Sequence, residues 1–129
     1  MTKKFKKGIK DLVAEAEAAI ETISLEDAIA QHGSDKLMFV DVRDVRELER
    51  DGMIPGAYHV PRGMAEFWFD PDSPYFKEDL GDENKTYVLY CAAAWRSALT
   101  AKTLKDMGME NVKQFAEGFK AWKEAGGPV

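Results

Sequence analysis

Tyr87-Val88-Leu89-Tyr90-Cys91-Ala92-Ala93-Ala94-Trp95-Arg96-Ser97 joins an apolar, aromatic run to a stretch of helical character. Tyr87 to Tyr90 has the make-up of a buried strand, and Arg96 to Met107 predicts a helix. The one cysteine of the chain therefore stands where a strand ends and a helix is about to begin. Backbone N–H groups at a helix N-terminus attract anions and favour a nearby thiolate. Cys91 is on that ground a candidate nucleophile. The competing reading is an inert thiol, because free cysteine also packs as a small hydrophobe.

Outward from this junction, strand and helix signals alternate. Lys36 to Val42 reads as a buried strand, Tyr58-His59-Val60 as a short one, and Val112 to Phe115 as the last. Ser24 resembles the cap of a helix running to about Gln31, with an acid at its third position. Val45 to Arg50 is a brief helix ended by Asp51-Gly52, and Gly118 to Lys123 leads a final one. Ile54-Pro55-Gly56-Ala57 suits a type II turn. Such alternation predicts an α/β fold with a mostly parallel sheet, in which ligands bind outside the carboxyl ends of strands. From Arg62 to Lys85 the periodicity is lost. The aromatic segment Phe67-Trp68-Phe69 and Tyr75-Phe76 is read as a short helix and loop packed over the sheet rather than a substrate cage.

At the front of the chain, Phe5, Ile9, Leu12, Val13, Ala16, Ile20 and Ile23 recur at helical spacing. Residues 1–23 are expected to form an extra N-terminal amphipathic helix, and residues 24–129 one domain. That helix could dock on the domain, meet a protein partner or mediate self-association.

With 129 residues, 45% hydrophobic and 32% charged, the chain has the composition of one soluble globular domain. A net charge of -5 without a basic stripe argues against nucleic acid. Lys3, Lys4, Lys6 and Lys7 read as a solvated helix face. No stretch approaches a membrane span, and the first residues lack the apolar core of a secretory signal. One cysteine makes neither an internal disulfide nor a cysteine-based metal site, and a reducing, cytoplasmic compartment is expected. His32 and His59 form no metal-spaced pair, and neither is expected to act as a base for Cys91. No metal or organic cofactor is indicated.

If residues 91 to 96 curl into a tight loop, their backbone amides converge on the sulfur as an anion nest. Ala92, Ala93 and Ala94 are small enough to leave the mouth open. Arg96 supplies a permanent planar charge suited to a sulfonate- or phosphate-like group. Trp95 either lines the mouth or packs beneath the loop. Ser97 is expected to cap the following helix. Asp41, Arg43 and Asp44, at the end of a neighbouring strand, are expected to brace the loop, with an Arg43–Glu47 ion pair four residues apart.

Three separated stretches carry a resemblance to a known family. Val40-Asp41-Val42-Arg43, followed by Glu47 and by Gly52-Met53-Ile54-Pro55-Gly56-Ala57, resembles the first signature of the rhodanese domain. Cys91 to Ser97 resembles its active loop. Glu117-Gly118-Phe119-Lys120-Ala121-Trp122, ending in Gly126-Gly127-Pro128-Val129, resembles its C-terminal signature.

The resemblance covers about Ser24 to Val129. It implies a three-layer fold with a central, mostly parallel sheet flanked by helices. It also implies a thiosulfate sulfurtransferase with Cys91 as persulfide carrier. A small sulfur-containing anion would be the donor, held by Ala92, Ala93, Ala94, Trp95 and Arg96, with Asp41, Arg43 and Ser97 in support. A thiol or cyanide would be the acceptor. The alternative within the family is a partner-dependent sulfur-relay or binding module, and an oxidation sensor built on the same thiol ranks below both.

Cysteine-based phosphatases resemble one another in having five residues between cysteine and arginine, whereas four, Ala92 to Trp95, stand here. The family often has glycine where this chain has Ala94, so strain is expected there if its φ is positive. It often has histidine where this chain has Met53, a difference read as one of packing.

Overall fold

A computed structural model describes residues 4–129, so Lys3 of the basic start lies outside the described residues. The first helix, α1, spans Ile9–Ala19 and not the whole of 1–23. Its chain turns extended at Ile20 (φ -107°, ψ 160°), and Glu21–Ile23 forms a strand, β1. The β-branched pair Thr22-Ile23 suits that pleat better than another helical turn. Among the described strands, this is the one that the sequence does not signal.

Helix α2 (Leu25–Gln31) starts at Ser24, whose hydroxyl accepts from the Asp27 amide at 3.0 Å, as expected of its cap. Strand β2 (Leu37–Asp41) leads into α3 (Val45–Asp51), which opens on a capping box between Asp44 and Glu47. The turn after it is closed by the Ala57 amide on the Ile54 carbonyl, with Gly56 at φ 82°, the positive value its third position requires. Strand β3 (Tyr58–His59) follows. The segment without periodicity folds as a 3-10 turn, helix α4 (Ala65–Phe69) and a second 3-10 turn. Its Trp68 lies under the Lys77 ammonium, 5.0 Å from the ring centre. Strand β4 (Thr86–Tyr90), helix α5 (Trp95–Asp106), strand β5 (Val112–Phe115) and helix α6 (Gly118–Glu124) complete the chain.

The five strands lie in the order β1-β5-β4-β2-β3, and every pair is parallel. Because side chains alternate across a strand, β4 must be apolar on both faces, and it is. Tyr87, Leu89 and Cys91 pack with Ala16 and Ile20 and with Ala98, Ala101 and Leu104 of α5. Val88 and Tyr90 pack on the opposite face with Phe115, Phe119 and Trp122. The result is three layers, with α1, α4 and α5 grouped on one side and α2 against α6 on the other. Val13 and Ala16 of α1 are buried, whereas Phe5, Ile9 and Leu12 are exposed. None of the described helices is long and apolar enough to cross a membrane.

Candidate active site

The carboxyl ends of β2 and β4 lie side by side, Asp41 opposite Tyr90, and the residues that follow them build the site. Cys91 comes directly after β4, and α5 begins at Trp95. The carbonyls of the intervening loop are held by the first turn of α6. Phe119 donates its amide to the Cys91 carbonyl at 2.8 Å, and Lys120 to the Ala92 carbonyl at 3.4 Å. The loop's own amides, Ala92 to Ser97, donate to no acceptor among the described residues. They form the donor-rich stretch that a nest needs.

Cys91 is 1% exposed and contacts the α5-side core. Around it, Ala92 and Ala94 are half-buried, while Ala93 and Trp95 are exposed. Trp95 thus does not pack beneath the loop. Ala94 has φ -142°, and no described residue other than glycine takes a positive φ. The strain expected at Ala94 is therefore absent.

The seat of the loop is Gly118, with φ 81°. A Cβ there would run into the carbonyl oxygens of Ala92 and Ala93, both backbone atoms that cannot rotate away. We expect Gly118→Ala to push the loop off α6 and slow chemistry at Cys91 by about tenfold, a modest fraction of what misplaced reacting groups cost. The rate of Cys91 alkylation compared with wild type checks this.

Two ion pairs differ from the expected Arg43–Glu47 bond. Arg43 precedes α3, so helical i,i+4 spacing does not apply to it, and its side chain turns inward onto Asp41. It donates from Nε to Asp41 Oδ1 at 3.0 Å and from Nη2 to Oδ2 at 2.7 Å, both residues being fully buried. A further Nη2 bond reaches the Gly52 carbonyl at 2.8 Å, and the guanidinium lies 4.3 Å from the Phe119 ring centre. Burial opposes the Arg43 charge, but the Asp41 hydrogen bonds and charge outweigh it and raise its pKa. Burial, with the neighbouring Asp41 charge, pushes the Tyr90 phenol up.

Glu47 instead takes Arg96, in a two-point pair that includes Nη2 to Oε2 at 3.0 Å. The Arg96 hydrogen bond holds the Glu47 carboxyl below its ordinary range, and the same bond raises Arg96, with a thiolate at Cys91 adding a smaller push.

Ser97 does not cap α5, because the cap position is Ala94 and makes no side-chain bond. It is fully buried beneath the loop. Its Oγ lies 3.5 Å from Cys91 Sγ, 3.0 Å from the Ala94 carbonyl and 2.8 Å from Gln114 Oε1. Gln114 Nε2 is the buried side-chain polar atom left without a partner among the described residues. His59 is bound at 2.7 Å to the Arg43 carbonyl and His32 at 2.9 Å to that of Pro55, which gives both structural partners.

Cys91 and Ser97 thus meet directly, Asp41 and Arg43 form a buried pair at the end of the neighbouring strand, and Arg96 is held by Glu47 of α3. Sequence reading did not assign three residues around these groups to the site: Glu47, Gly118 and Gln114. The capping-box spacing from Asp44 marks Glu47 as a helix-start residue, whereas nothing in Val112-Lys113-Gln114-Phe115 sets Gln114 apart, since Lys113 beside it is polar too.

Among known proteins, the chain is 30% identical over 110 residues to a Bacillus subtilis protein named "Putative sulfur carrier protein YrkF", covering 84% of this chain and 54% of that protein. It is 27% identical over 93 residues to the mouse thiosulfate sulfurtransferase/rhodanese-like domain-containing protein 3, covering 69% and 59%. The chain therefore spans little more than half the length of these curated relatives. A solved structure from Rhodopseudomonas palustris, of a protein of unknown function described as a possible tyrosine phosphatase, superposes with TM-score 0.95. It is 49% identical and covers 100% of this chain and 98% of its own. Residues 24–125 match the model of the rhodanese-like domain, and the chain belongs to that family.

Proposed function

We propose that the protein is a sulfurtransferase that carries a sulfane sulfur as a persulfide on Cys91, with thiosulfate or a similar anion as donor. The observation that carries this reading is the run of partnerless amides from Ala92 to Ser97 beside a single sulfur. The family and the relatives named for sulfur carriage and thiosulfate sulfurtransfer support it. The Cys91 thiolate attacks the outer sulfur of thiosulfate. A Cys91 S–S bond forms as the bond to the sulfonate sulfur breaks, and sulfite departs with the bonding pair. An acceptor thiol or cyanide then attacks the terminal sulfur, and the Cys91 thiolate leaves with its electrons. This is covalent, double-displacement catalysis. Sulfite is a good leaving group, in keeping with a loop that contains no acid and no histidine.

The burial of Cys91 favours a donor that presents one slim atom end-on. Four residues between Cys91 and Arg96 make a narrow ring, which suits sulfur better than a tetrahedral phosphate. The phosphatase description of the Rhodopseudomonas structure is the reason to run a phosphatase assay on the same preparation. Mass spectrometry after thiosulfate treatment tests the main reading. The expected result is a gain of one sulfur atom on Cys91, reversed by cyanide. No adduct, or phosphate release instead, overturns it.

The relay alternative is favoured by the relative named as a sulfur carrier. It predicts loading of Cys91 from a persulfidated protein and none from thiosulfate. Deleting residues 1–22 is a poor way to separate the two, because it removes Val13 and Ala16 from the core and most of β1 from the sheet.

Glu47 tempers the donor site by neutralising Arg96. Glu47→Gln keeps the α3 capping box but removes that negative charge. KM for thiosulfate is expected to fall by roughly threefold, the scale of one partly exposed ion pair, with kcat little changed. A rise in KM in steady-state assays would count against this role for Arg96.

A further inference from the structure

We propose that Gln114 is a positioning residue for Cys91, its side-chain amide donating to Ser97 Oγ and so committing the Ser97 hydroxyl proton to the ionised sulfur. The proposal rests on the reading of Cys91 as the reactive thiolate. It begins from a buried defect: Gln114 is fully buried in β5, and its Nε2 donates to nothing among the described residues.

Ser97 has one proton to give and two lone pairs to offer. With Gln114 Oε1 turned toward it at 2.8 Å, that proton is claimed by Oε1 and by the Ala94 carbonyl, and the sulfur 3.5 Å away receives none. A half-turn of the carboxamide exchanges Oε1 and Nε2 in place, and it is the hydrogen-bond network that selects between the two. The turned amide gives its stranded N–H a partner in Ser97 Oγ. The oxygen it leaves in the former place of Nε2 is the lesser defect, because orphaned buried N–H groups are rarer than under-satisfied carbonyls.

Once Nε2 occupies a lone pair of Oγ, the hydroxyl proton has only the Ala94 carbonyl and the sulfur to choose from. That carbonyl already accepts the Ala98 amide at 3.0 Å, and a thiolate is the stronger acceptor. In the thiol state the hydroxyl rests on Ala94; when the thiol proton leaves to solvent, the hydroxyl turns to the sulfur. No proton is transferred along the chain of bonds.

The test is the pH profile of iodoacetamide alkylation of the full chain, which reads the thiolate without any sulfur donor. A hydrogen bond to the charged form favours it, so losing the bond moves the half-point upward. Gln114→Met, close in volume, is expected to raise the half-point by about one pH unit, the scale of one charge-assisted bond. Ser97→Ala is expected to raise it at least as far, and the double variant no further than Ser97→Ala alone. A Gln114→Met profile that superposes on wild type overturns the proposal, as does a Gln114→Met shift that persists in the Ser97→Ala background. If Gln114→Met does not fold, Ser97→Ala carries the test, and an unshifted profile in it overturns the proposal. Thiosulfate loading of wild type is read alongside: absent loading refutes sulfur transfer from that donor, whereas intact loading with unshifted profiles refutes only the role of Gln114.

Discussion

Cys91→Ser is expected to take up no sulfur from thiosulfate and to show no sulfur transfer above background. The physical reason is the nucleophile itself. A thiolate is populated near neutral pH and is highly nucleophilic, whereas a serine hydroxyl needs an adjacent base that this loop does not contain. Serine is close to cysteine in size, and Ser97 Oγ stands 3.5 Å from the position, ready to bond the new hydroxyl. The variant should therefore keep the fold, and thermal unfolding close to wild type checks that the loss is chemical. A Cys91→Ser protein that still gains a cyanide-removable sulfur would end the persulfide reading outright, because the chain has no other cysteine.

Arg43→Met carries the largest expected loss of stability. It leaves the Asp41 carboxylate fully buried without its guanidinium partner, while the residue 43 backbone amide still donates to it at 3.0 Å and the Tyr90 phenol stays beside it. Breaking a buried pair by removing one partner costs about 3–5 kcal/mol, against a total stability of about 5–15 kcal/mol. The melting temperature should fall by on the order of 10 °C. The pair also has a second loss to inflict: Arg43 ties the Gly52 carbonyl at the end of α3, and α3 carries Glu47, the partner of Arg96. The double variant Asp41→Leu with Arg43→Met removes the stranded charge as well, and urea unfolding should find it more stable than Arg43→Met alone. If the single variant unfolds like wild type, the buried pair is not what holds this corner.

Much of this corner can be read along the chain, and the limits of that reading are local. The cap at Ser24 and the turn at Gly56 depend on neighbours within a few residues, so their signals survive in a linear text. Strand β1 does not carry such a signal. Three residues, two of them exposed, follow an amphipathic helix, and only pairing with β5 makes them a strand. Spacing assigns Arg43 to Glu47 because the two are four apart. The assignment fails because the rule presumes a helix, and α3 starts after Arg43. Ser97 looks like a cap for the same reason; α5 starts two residues earlier, which turns that hydroxyl inward to the sulfur.

What the chain's order of residues determined by itself was the alternating α/β architecture, the parallel sheet and the position of Cys91 at a strand's carboxyl end. Periodicity, turn residues and the strand-to-helix junction are written in short windows. Tertiary structure alone decided who meets whom: Glu47 with Arg96 across 49 residues, Gly118 beneath the loop at Ala92 and Ala93, and Gln114 beneath Ser97. Those partners come from different elements, and charge, close approach and buried hydrogen bonding select them only after the sheet has brought its strand ends together.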